Sequence, residues 1–437
     1  MRSATGFWIR EDENDLENIL TGKKRPVKRK PRRLVTPAGL FGLLTVFELI
    51  CLIRLLFSDA VMENPLHLLP LVLFIGLEWI YYGFSRAVGR THVELEASAF
   101  FLTSIGFIAL TGVLPSAAWM QLLGVAAGLV VYNLVIWFMG SIDRVVKYKV
   151  WVGVGGVLLL AANLIFGSII YGAQNWIKIG PITFQPSEFV KIAFVMTGTA
   201  TLDRLQSSRH LTWFLAFFAV CMGALFYMGD FGTACIFFVT FLVIAFLRSG
   251  DWKTLILFCA GAAAGAALIL KFKPYIAKRF EAWRHVWEFA DTSGYQQTQL
   301  LMSVASGGLL GLGPGLGVLH TVAASTTDLM FGVVCEEWGL LLGIAAVSVY
   351  VGWALFAGRL AGRTRSSVYS IAACAAASLL LFQAALNLFG VTDILPLTGV
   401  TLPFVSRGSS SMIACWGLLG FLKAADSRTY KQGRLAA

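Results

Sequence analysis

The chain has 437 residues, of which 57% are hydrophobic and only 14% are charged. A soluble domain carries about 25% charged residues, so most of this surface faces lipid rather than water. The net charge of +11 does not indicate nucleic-acid binding, because ten of the 35 Lys and Arg residues lie before residue 38. A basic tail in front of the first apolar run is typical of a cytoplasmic anchor.

Apolar runs long enough to cross a bilayer as helices recur along the chain. One crossing takes about 20 residues, so the length supplies about twelve spans with their loops. We therefore predict an all-α integral membrane protein with about twelve transmembrane helices. The predicted helices cover residues 38–57, 66–86, 97–113, 117–139, 150–171, 188–203, 211–228, 231–248, 254–271, 331–358, 367–390 and 408–424.

Loop charges predict which side of the membrane each loop faces. Lys and Arg concentrate in the N-terminal tail and in alternate predicted loops, whereas loops 58–65 and 113–117 carry neither residue. Under the positive-inside rule, this pattern predicts that both termini are cytoplasmic. Arg54, near the outer end of the first predicted helix, fits the rule less well and could snorkel outward.

Missing motifs disfavour several enzyme classes. The sequence has no Walker-type phosphate loop, no HExxH and no G-x-S-x-G, which argues against an ATPase, a zinc protease and a serine hydrolase. Its seven cysteines form no CxxC pair and have no His cluster beside them. We therefore interpret them as apolar packing residues and predict no disulfide framework and no metal site.

Three segments on the predicted outer side carry cations against the topological rule. They are residues 172–191, 272–330 and 391–411, with Lys191, Arg279 and Arg407 among their cations. Taken singly, each cation could pair with a lipid phosphate or a nearby acid. Three such segments on one side favour a shared anionic ligand.

The first outer segment ends in Gln185-Pro186-Ser187-Glu188, followed by Lys191. Proline suits an early helical position and Glu188 suits the first turn. Glu188 and Lys191 are three residues apart and can pair across that turn. The pair could line the mouth of a cavity, or the motif could simply start a helix.

The second outer segment ends in Thr327 and Asp328, just before an apolar helix. An acid at that border is costly unless it caps the helix or does chemical work. As a cap, Asp328 would accept backbone amide hydrogen bonds. As a catalyst, it would accept a proton from a hydroxyl group. Residue types alone leave the two roles equal.

The third outer segment is rich in Gly, Pro, Ser and Thr, so it cannot remain helical. Irregular backbone at membrane depth is tolerated only where it lines a protein-walled or wet cavity. The small residues at 406–411 would leave backbone donors open to a bound anion. The alternative is an ordinary surface loop.

An ordered set of motifs resembles the SEDS family, which includes FtsW, RodA and SpoVE, over roughly residues 95–425. The matching stretches are Asn175-Trp176-Ile177, Gln185-Pro186-Ser187-Glu188 with Lys191, Asp230-Phe231-Gly232-Thr233, Gly294-Tyr295-Gln296, Gly307-Gly308, Thr327-Asp328, Glu336-Glu337 and Leu402-Pro403-Phe404 with Ser406 and Gly408.

This resemblance implies a glycosyltransferase of the bacterial cytoplasmic membrane that polymerises lipid II into peptidoglycan strands, usually with a class B penicillin-binding protein. It places the family's essential aspartate on Asp328, the expected general base for the acceptor GlcNAc 4-hydroxyl, with undecaprenyl pyrophosphate as the leaving group. The resemblance implies no cofactor with certainty, and it leaves open whether a divalent cation takes part. Expected substrate-binding residues are Arg279, Lys191, Glu188, Gln185, Ser187, Trp176, Gln296, Thr327, Ser406, Arg407 and Gly408.

The chain also departs from the family pattern. Ala323-Ala324-Ser325-Thr326-Thr327 stands where the family has a stretch with an acid and a His. This departure keeps a catalytically silent scaffold for a penicillin-binding protein as an alternative, beside a flippase for lipid-linked sugars. The expected organisation is a basic cytoplasmic tail (1–37), an added two-helix unit (38–93), a ten-helix SEDS-like domain (94–425) and a second cytoplasmic tail (426–437).

Overall fold

Helices account for most of the described chain, and proline enters them only at their starts. Pro37, Pro70 and Pro186 occupy the first or second helical position, where a missing amide hydrogen costs no intrahelical bond. The computed structural model describes residues 35–170, 173–180, 182–200, 208–253, 255–261, 263, 281–362 and 366–426. The chain divides into two compact units, Met1–Thr36 and Pro37–Ala437, and all the elements below belong to the second unit.

The helical elements follow the order of the apolar runs. Short 3₁₀ helices occupy Pro65–Leu68, Pro115–Ala117 and Leu319–Thr321. The α-helices are α1 (Pro37–Leu55), α2 (Asp59–Glu63), α3 (Leu69–Ala87), α4 (Glu94–Val113), α5 (Ala118–Met139), α6 (Ile142–Phe166), α7 (Pro186–Ala200), α8 (Ser208–Met228), α9 (Phe231–Ser249), α10 (Tyr295–Gly307), α11 (Met330–Trp338), α12 (Leu340–Ala361), α13 (Ser367–Val391) and α14 (Ser409–Ala425).

The predicted all-α membrane architecture is confirmed. Among the described residues, eight helices are long and apolar enough to cross a membrane, and two shorter apolar helices cover Thr212–Met228 and Ser409–Ala425. Helix α7 corresponds to a further predicted span. The predicted helix at 254–271 lies largely outside the described residues.

Two helix boundaries differ from the prediction. The predicted helix at 150–171 is α6, which starts at Ile142, where the Ser141 hydroxyl accepts a hydrogen bond from the Arg144 amide. It ends before Gly167 because a sheet follows. The predicted helix at 331–358 is two helices, α11 and α12, because Gly339 breaks the run with a φ of 93° and a ψ of 158°.

A small antiparallel sheet, which the sequence analysis did not predict, occupies most of the first outer segment before α7. Its strands are β1 (Ser168–Ile170), β2 (Ala173–Ile179) and β3 (Ile182–Phe184), in that order across the sheet. Lys178 pairs with Thr183 in the β2–β3 register. The sheet leads directly into α7, so Trp176 of β2 and the residues that start α7 face one region.

Close packing of α5 on α14 positions the third outer segment. A Cβ at Gly128 would lie 2.7 Å from Cδ1 of Trp416, so only glycine permits this approach. Trp416 is fully buried and packs edge-on against Tyr132 and Phe404, with ring centroids 5.7 and 5.5 Å away. The irregular segment before α14 therefore lies against the start of α5.

Candidate functional site

A cavity of about 740 Å³ opens between the sheet, the starts of α5, α7 and α9, and the segments around residues 327 and 395–409. This volume is typical of a small-molecule site. All three outer segments contribute to its wall. The predicted site residues that line it are Trp176, Gln185, Glu188, Thr327, Asp328, Arg407 and Gly408.

Asp328 lies on a tight turn in front of α11. The amides of Thr327, Asp328 and Leu329 all donate to the Ala324 carbonyl, at 3.1, 3.0 and 3.1 Å. From the opposite side, Nδ2 of Asn387 donates to the Asp328 carbonyl at 2.8 Å. The backbone is fixed from two directions, while the half-buried side chain borders the cavity.

Two observations on the surroundings of Asp328 bear on the two roles that its residue type left open. The N-cap position of α11 belongs to Leu329, which has no side-chain oxygen. Gly399 faces the carboxylate, because a Cβ built there would lie 3.3 Å from Oδ2 of Asp328. Gly399 has a φ of 73°, in the left-handed region that favours glycine. The arrangement suits a carboxylate that faces a ligand.

The third outer segment is tied directly to the turn that carries Asp328. The Arg407 amide donates to the Thr326 carbonyl at 2.9 Å, and the Ser406 hydroxyl donates to the Thr327 carbonyl. Nη1 of Arg407 lies 3.5 Å from the Thr326 hydroxyl. Ser406 is therefore a buried support for the turn, and the exposed Arg407 side chain lies at the edge of the cavity.

Glu188 and Lys191 form a buried ion pair at the start of α7. Lys191 Nζ lies 2.6 Å from Oε1 of Glu188 and donates to Oε1 of Gln383 at 2.9 Å. Glu188 lines the cavity, whereas Lys191 lies behind it. Oε2 of Glu188 and the hydroxyl of buried Ser187 have no hydrogen-bond partner among the described residues. Glu188 thus lines the cavity while one of its carboxylate oxygens is buried and unpaired among the described residues.

The other predicted site residues lie in different places. Gln185 lines the cavity, and its backbone amide donates a hydrogen bond to the Ser410 hydroxyl at 3.2 Å. Gln296 is outside the cavity wall, where Nε2 donates to the Ala323 carbonyl at 2.8 Å. Arg279 lies outside the described residues, so its predicted role stays a prediction.

Among the polar residues of the cavity wall that were missed as candidate site residues are Asp230 and Gln121. Oδ2 of Asp230 accepts from Asn175 at 3.3 Å, and Oδ1 accepts from the Thr233 amide at 3.1 Å. Gln121 accepts a hydrogen bond from the Gly408 amide at 3.2 Å. The available signals were the family-like stretch at Asp230 and a glutamine inside the apolar run of α5.

The described cavity wall carries more acidic than basic side chains. Three carboxylates line it, from Glu188, Asp230 and Asp328, against the single guanidinium of Arg407. Lys191 offsets Glu188 from behind. Within the described ranges, no three His, Cys, Asp or Glu side chains converge closely enough to hold a metal ion.

Comparisons with known proteins identify the family of the chain. The model of the family FTSW_RODA_SPOVE, described as "Cell cycle protein", matches residues 97–431. The peptidoglycan glycosyltransferase RodA of Mycobacterium tuberculosis (strain ATCC 25618 / H37Rv) is 29% identical over 328 residues, covering 70% of each chain. The probable peptidoglycan glycosyltransferase FtsW of Bacillus subtilis (strain 168) is 29% identical over 296 residues, covering 63% of this chain and 72% of its own.

Solved structures share the fold. One chain, from a structure on coordination of polymerization and crosslinking by a peptidoglycan synthase complex, matches with a TM-score of 0.63 and 26% sequence identity. The match covers 77% of this chain and 98% of that chain. The described helices and these relatives together make the chain a multi-pass membrane protein.

Proposed function

Because the chain belongs to the FtsW/RodA/SpoVE family of cell cycle proteins, we propose that it is a peptidoglycan glycosyltransferase that polymerises lipid II on the extracytoplasmic face of the membrane. The observation that carries the proposal is the placement of Asp328 in the wall of a cavity that also contains Glu188 and Arg407. The names of its relatives supply the reaction class.

The proposed chemistry needs one proton acceptor. Asp328 takes the proton of the acceptor GlcNAc 4-hydroxyl as that oxygen forms a bond to C1 of the donor sugar. The bond from C1 to the lipid pyrophosphate breaks, and the pyrophosphate leaves with the bonding electron pair. Pyrophosphate is already a good leaving group, so a second carboxylic acid to protonate it is unnecessary, unlike in most glycosidases.

The cations divide into two proposed roles. Arg407, exposed at the cavity edge, is placed to offset pyrophosphate charge, and Arg279 keeps the same predicted role. Lys191 is turned toward Glu188 and Gln383. We assign it the different task of holding the Glu188 carboxylate in place, so that this carboxylate accepts a hydrogen bond from a sugar hydroxyl or amide.

The proposed setting follows from loop charge and family. Both termini lie in the cytoplasm, and the cavity opens to the outer leaflet, where lipid II is polymerised. The partner is a class B penicillin-binding protein, since a structural relative at 26% identity comes from a peptidoglycan synthase complex. This partner would crosslink the strands that the chain makes.

The test is polymerisation of fluorescent lipid II by the purified chain in proteoliposomes. Wild type is expected to yield glycan strands on a gel, and Asp328→Ala is expected to yield none. Asp143→Ala is the matched control, because Asp143 is exposed at the start of α6 and does not line the cavity. Movement of lipid II between leaflets without glycan product would indicate a flippase instead. Binding of a penicillin-binding protein without product or transport would indicate a scaffold.

A further inference from the structure

Helices α1 and α3 precede residue 97, where the family match begins, yet they pack against family helix α4. Phe74 of α3 stacks on Phe107 of α4 with ring centroids 4.7 Å apart. In the same layer, Ser104 of α4 donates to Oε1 of buried Glu48 on α1 at 2.5 Å. An apolar and a polar contact therefore join the added helices to the core.

The outer end of α1 touches a different element. The guanidinium of Arg54 lies over the ring of Trp338, 5.2 Å from its centroid. Beyond it, Ser58 faces Gly315, where a built Cβ would lie 3.5 Å from Cβ of Ser58. Trp338 ends α11, and Asp328 lies on the turn just before the start of the same helix. The added helix thus contacts the segment that carries the proposed base.

That segment, residues 307–338, is tied together internally. The amides of Leu312 and Gly313 donate to the carbonyls of Glu336 and Glu337, at 2.9 and 3.0 Å. The Glu336 carboxylate accepts the amides of Val318 and Leu319 at 3.0 Å each. A constraint at Trp338 or Gly315 therefore acts on the whole segment, including the turn at Asp328.

Trp338 is the partner of Arg54 rather than the neighbouring carboxyl group. Helix α11 is not among the candidate membrane spans of the described residues. Burial raises the pKa of Glu337 from 4.5 to about 8, which favours the neutral form of this carboxyl group. A cation over an indole ring is a favourable arrangement that needs no counter-charge. The contact with Trp338 also explains why Arg54 lies at the predicted outer end of α1, where the positive-inside rule expects no cation.

We propose that Arg54 is a positioning residue for the glycosyl transfer, and that α1 and α3 act as an intramolecular brace for residues 307–338. The inference rests on the proposed function. Arg54 does not line the cavity and acts through Trp338. Loss of the Arg54–Trp338 contact misaligns the proposed base, Asp328. The rest of the cavity wall stays intact, because the cavity residues of α5, the sheet and α9 do not depend on this contact.

The experiment compares lipid II polymerisation kinetics of wild type, Arg54→Ala, Arg54→Lys and Arg144→Ala in proteoliposomes. Arg144 is the matched control, since it lies 4.0 Å from the ring centroid of Trp137. Trp137 is about 24 Å along α5 from cavity residue Gln121 at 1.5 Å per residue. We expect Arg54→Ala to lower kcat about five- to tenfold with KM within about twofold, a loss confined to the transition state. Lysine should restore at least half of the rate, and Arg144→Ala should match wild type.

A second measurement does not require activity. Hydrogen exchange of the amides in 307–319 should accelerate in Arg54→Ala and return toward wild type in Arg54→Lys. The inference is overturned if Arg54→Ala keeps wild-type kcat and exchange, if lysine rescues neither, or if KM rises alone. Should wild type make no glycan, the proposed function fails, and the exchange comparison alone decides whether the brace exists.

Discussion

Two buried lysine–glutamate pairs occur at different places in the fold. Lys191 pairs with Glu188 at 2.6 Å beside the cavity, and Lys423 pairs with Glu96 at 3.0 Å where α14 meets α4. All four side chains are at most 5% exposed. The two pairs have the same chemistry and similar burial, so neither property separates a functional pair from a structural one.

The two pairs differ in whether the glutamate keeps a carboxylate oxygen without a hydrogen-bond partner. Glu96 accepts from Lys423 and, at 3.2 Å, from the hydroxyl of Tyr81, and Lys423 also donates to the His92 carbonyl. This pair ties together α3, α4 and α14. Glu188 instead leaves Oε2 without a partner among the described residues, in the cavity wall. We interpret a buried pair as a structural tie when its carboxylate oxygens are hydrogen-bonded, and as a candidate binding group when one oxygen is unpaired and the residue lines a cavity.

The largest expected effect comes from removing one charge of each pair. Glu188→Gln should reduce polymerisation at least about a hundredfold, whereas Glu96→Gln should keep activity per folded molecule within about threefold. Both variants should lose stability, about 3–5 kcal/mol, because each leaves a lysine charge buried without its counter-charge. Polymerisation assays and thermal unfolding in detergent measure the two effects. Equal loss of activity in both variants would show that the two ion pairs do not differ in function.

Removing both charges sharpens the comparison. Glu188→Gln with Lys191→Gln, and Glu96→Gln with Lys423→Gln, should each recover most of the stability lost in the single variants, because no unpaired charge remains. Only the second double variant should retain polymerisation. Recovery of activity in the first would mean that Glu188 serves the fold alone.

A smaller effect is expected from two left-handed glycines. Gly399 and Gly250 have φ values of 73° and 62°, but only Gly399 has a side chain near its missing Cβ, the Asp328 carboxylate. Alanine at either position should cost about 1–3 kcal/mol of stability from backbone strain. Only Gly399→Ala should also slow polymerisation, by about tenfold. Equal rates in the two variants would argue against a carboxylate held close to Gly399.

The smallest expected effect on polymerisation concerns a third buried carboxyl group, Glu337. Its pKa is raised by burial from 4.5 to about 8, so the folded state holds a proton that the unfolded state releases. The contribution to stability is therefore fully present below about pH 4.5 and is lost as pH rises to about 8. Unfolding temperatures of Glu337→Gln should fall less steeply over this range than those of wild type. Parallel pH curves would show that Glu337 does not titrate there.

Hydropathy and loop motifs predicted much of this molecule. The spans follow from the apolar runs because each must cover a bilayer's thickness. The meeting of the three outer segments was also anticipated, since their cations were unexplained by topology. Asp328, Glu188 and Arg407 do line one cavity, although their roles in it are still predictions.

The features that hydropathy did not predict depend on contacts between residues that are distant in the sequence. The break at Gly339 arises where a Cβ would collide with the Leu309 carbonyl, and nothing in an apolar run marks that approach. The burial of Lys191 behind Glu188 depends on Gln383, far along the chain. The position of Arg54 over Trp338 likewise requires the fold, because these residues are separated by most of the sequence.

The central claim is tested most directly by Asp328→Asn, which keeps the size of the side chain and removes its ability to accept a proton. Lipid II binding and single-turnover polymerisation would be measured on the same purified preparation. The account predicts binding within about threefold of wild type and a rate lower by about 10²–10⁴-fold. A variant that polymerises lipid II at a rate near that of wild type would contradict it.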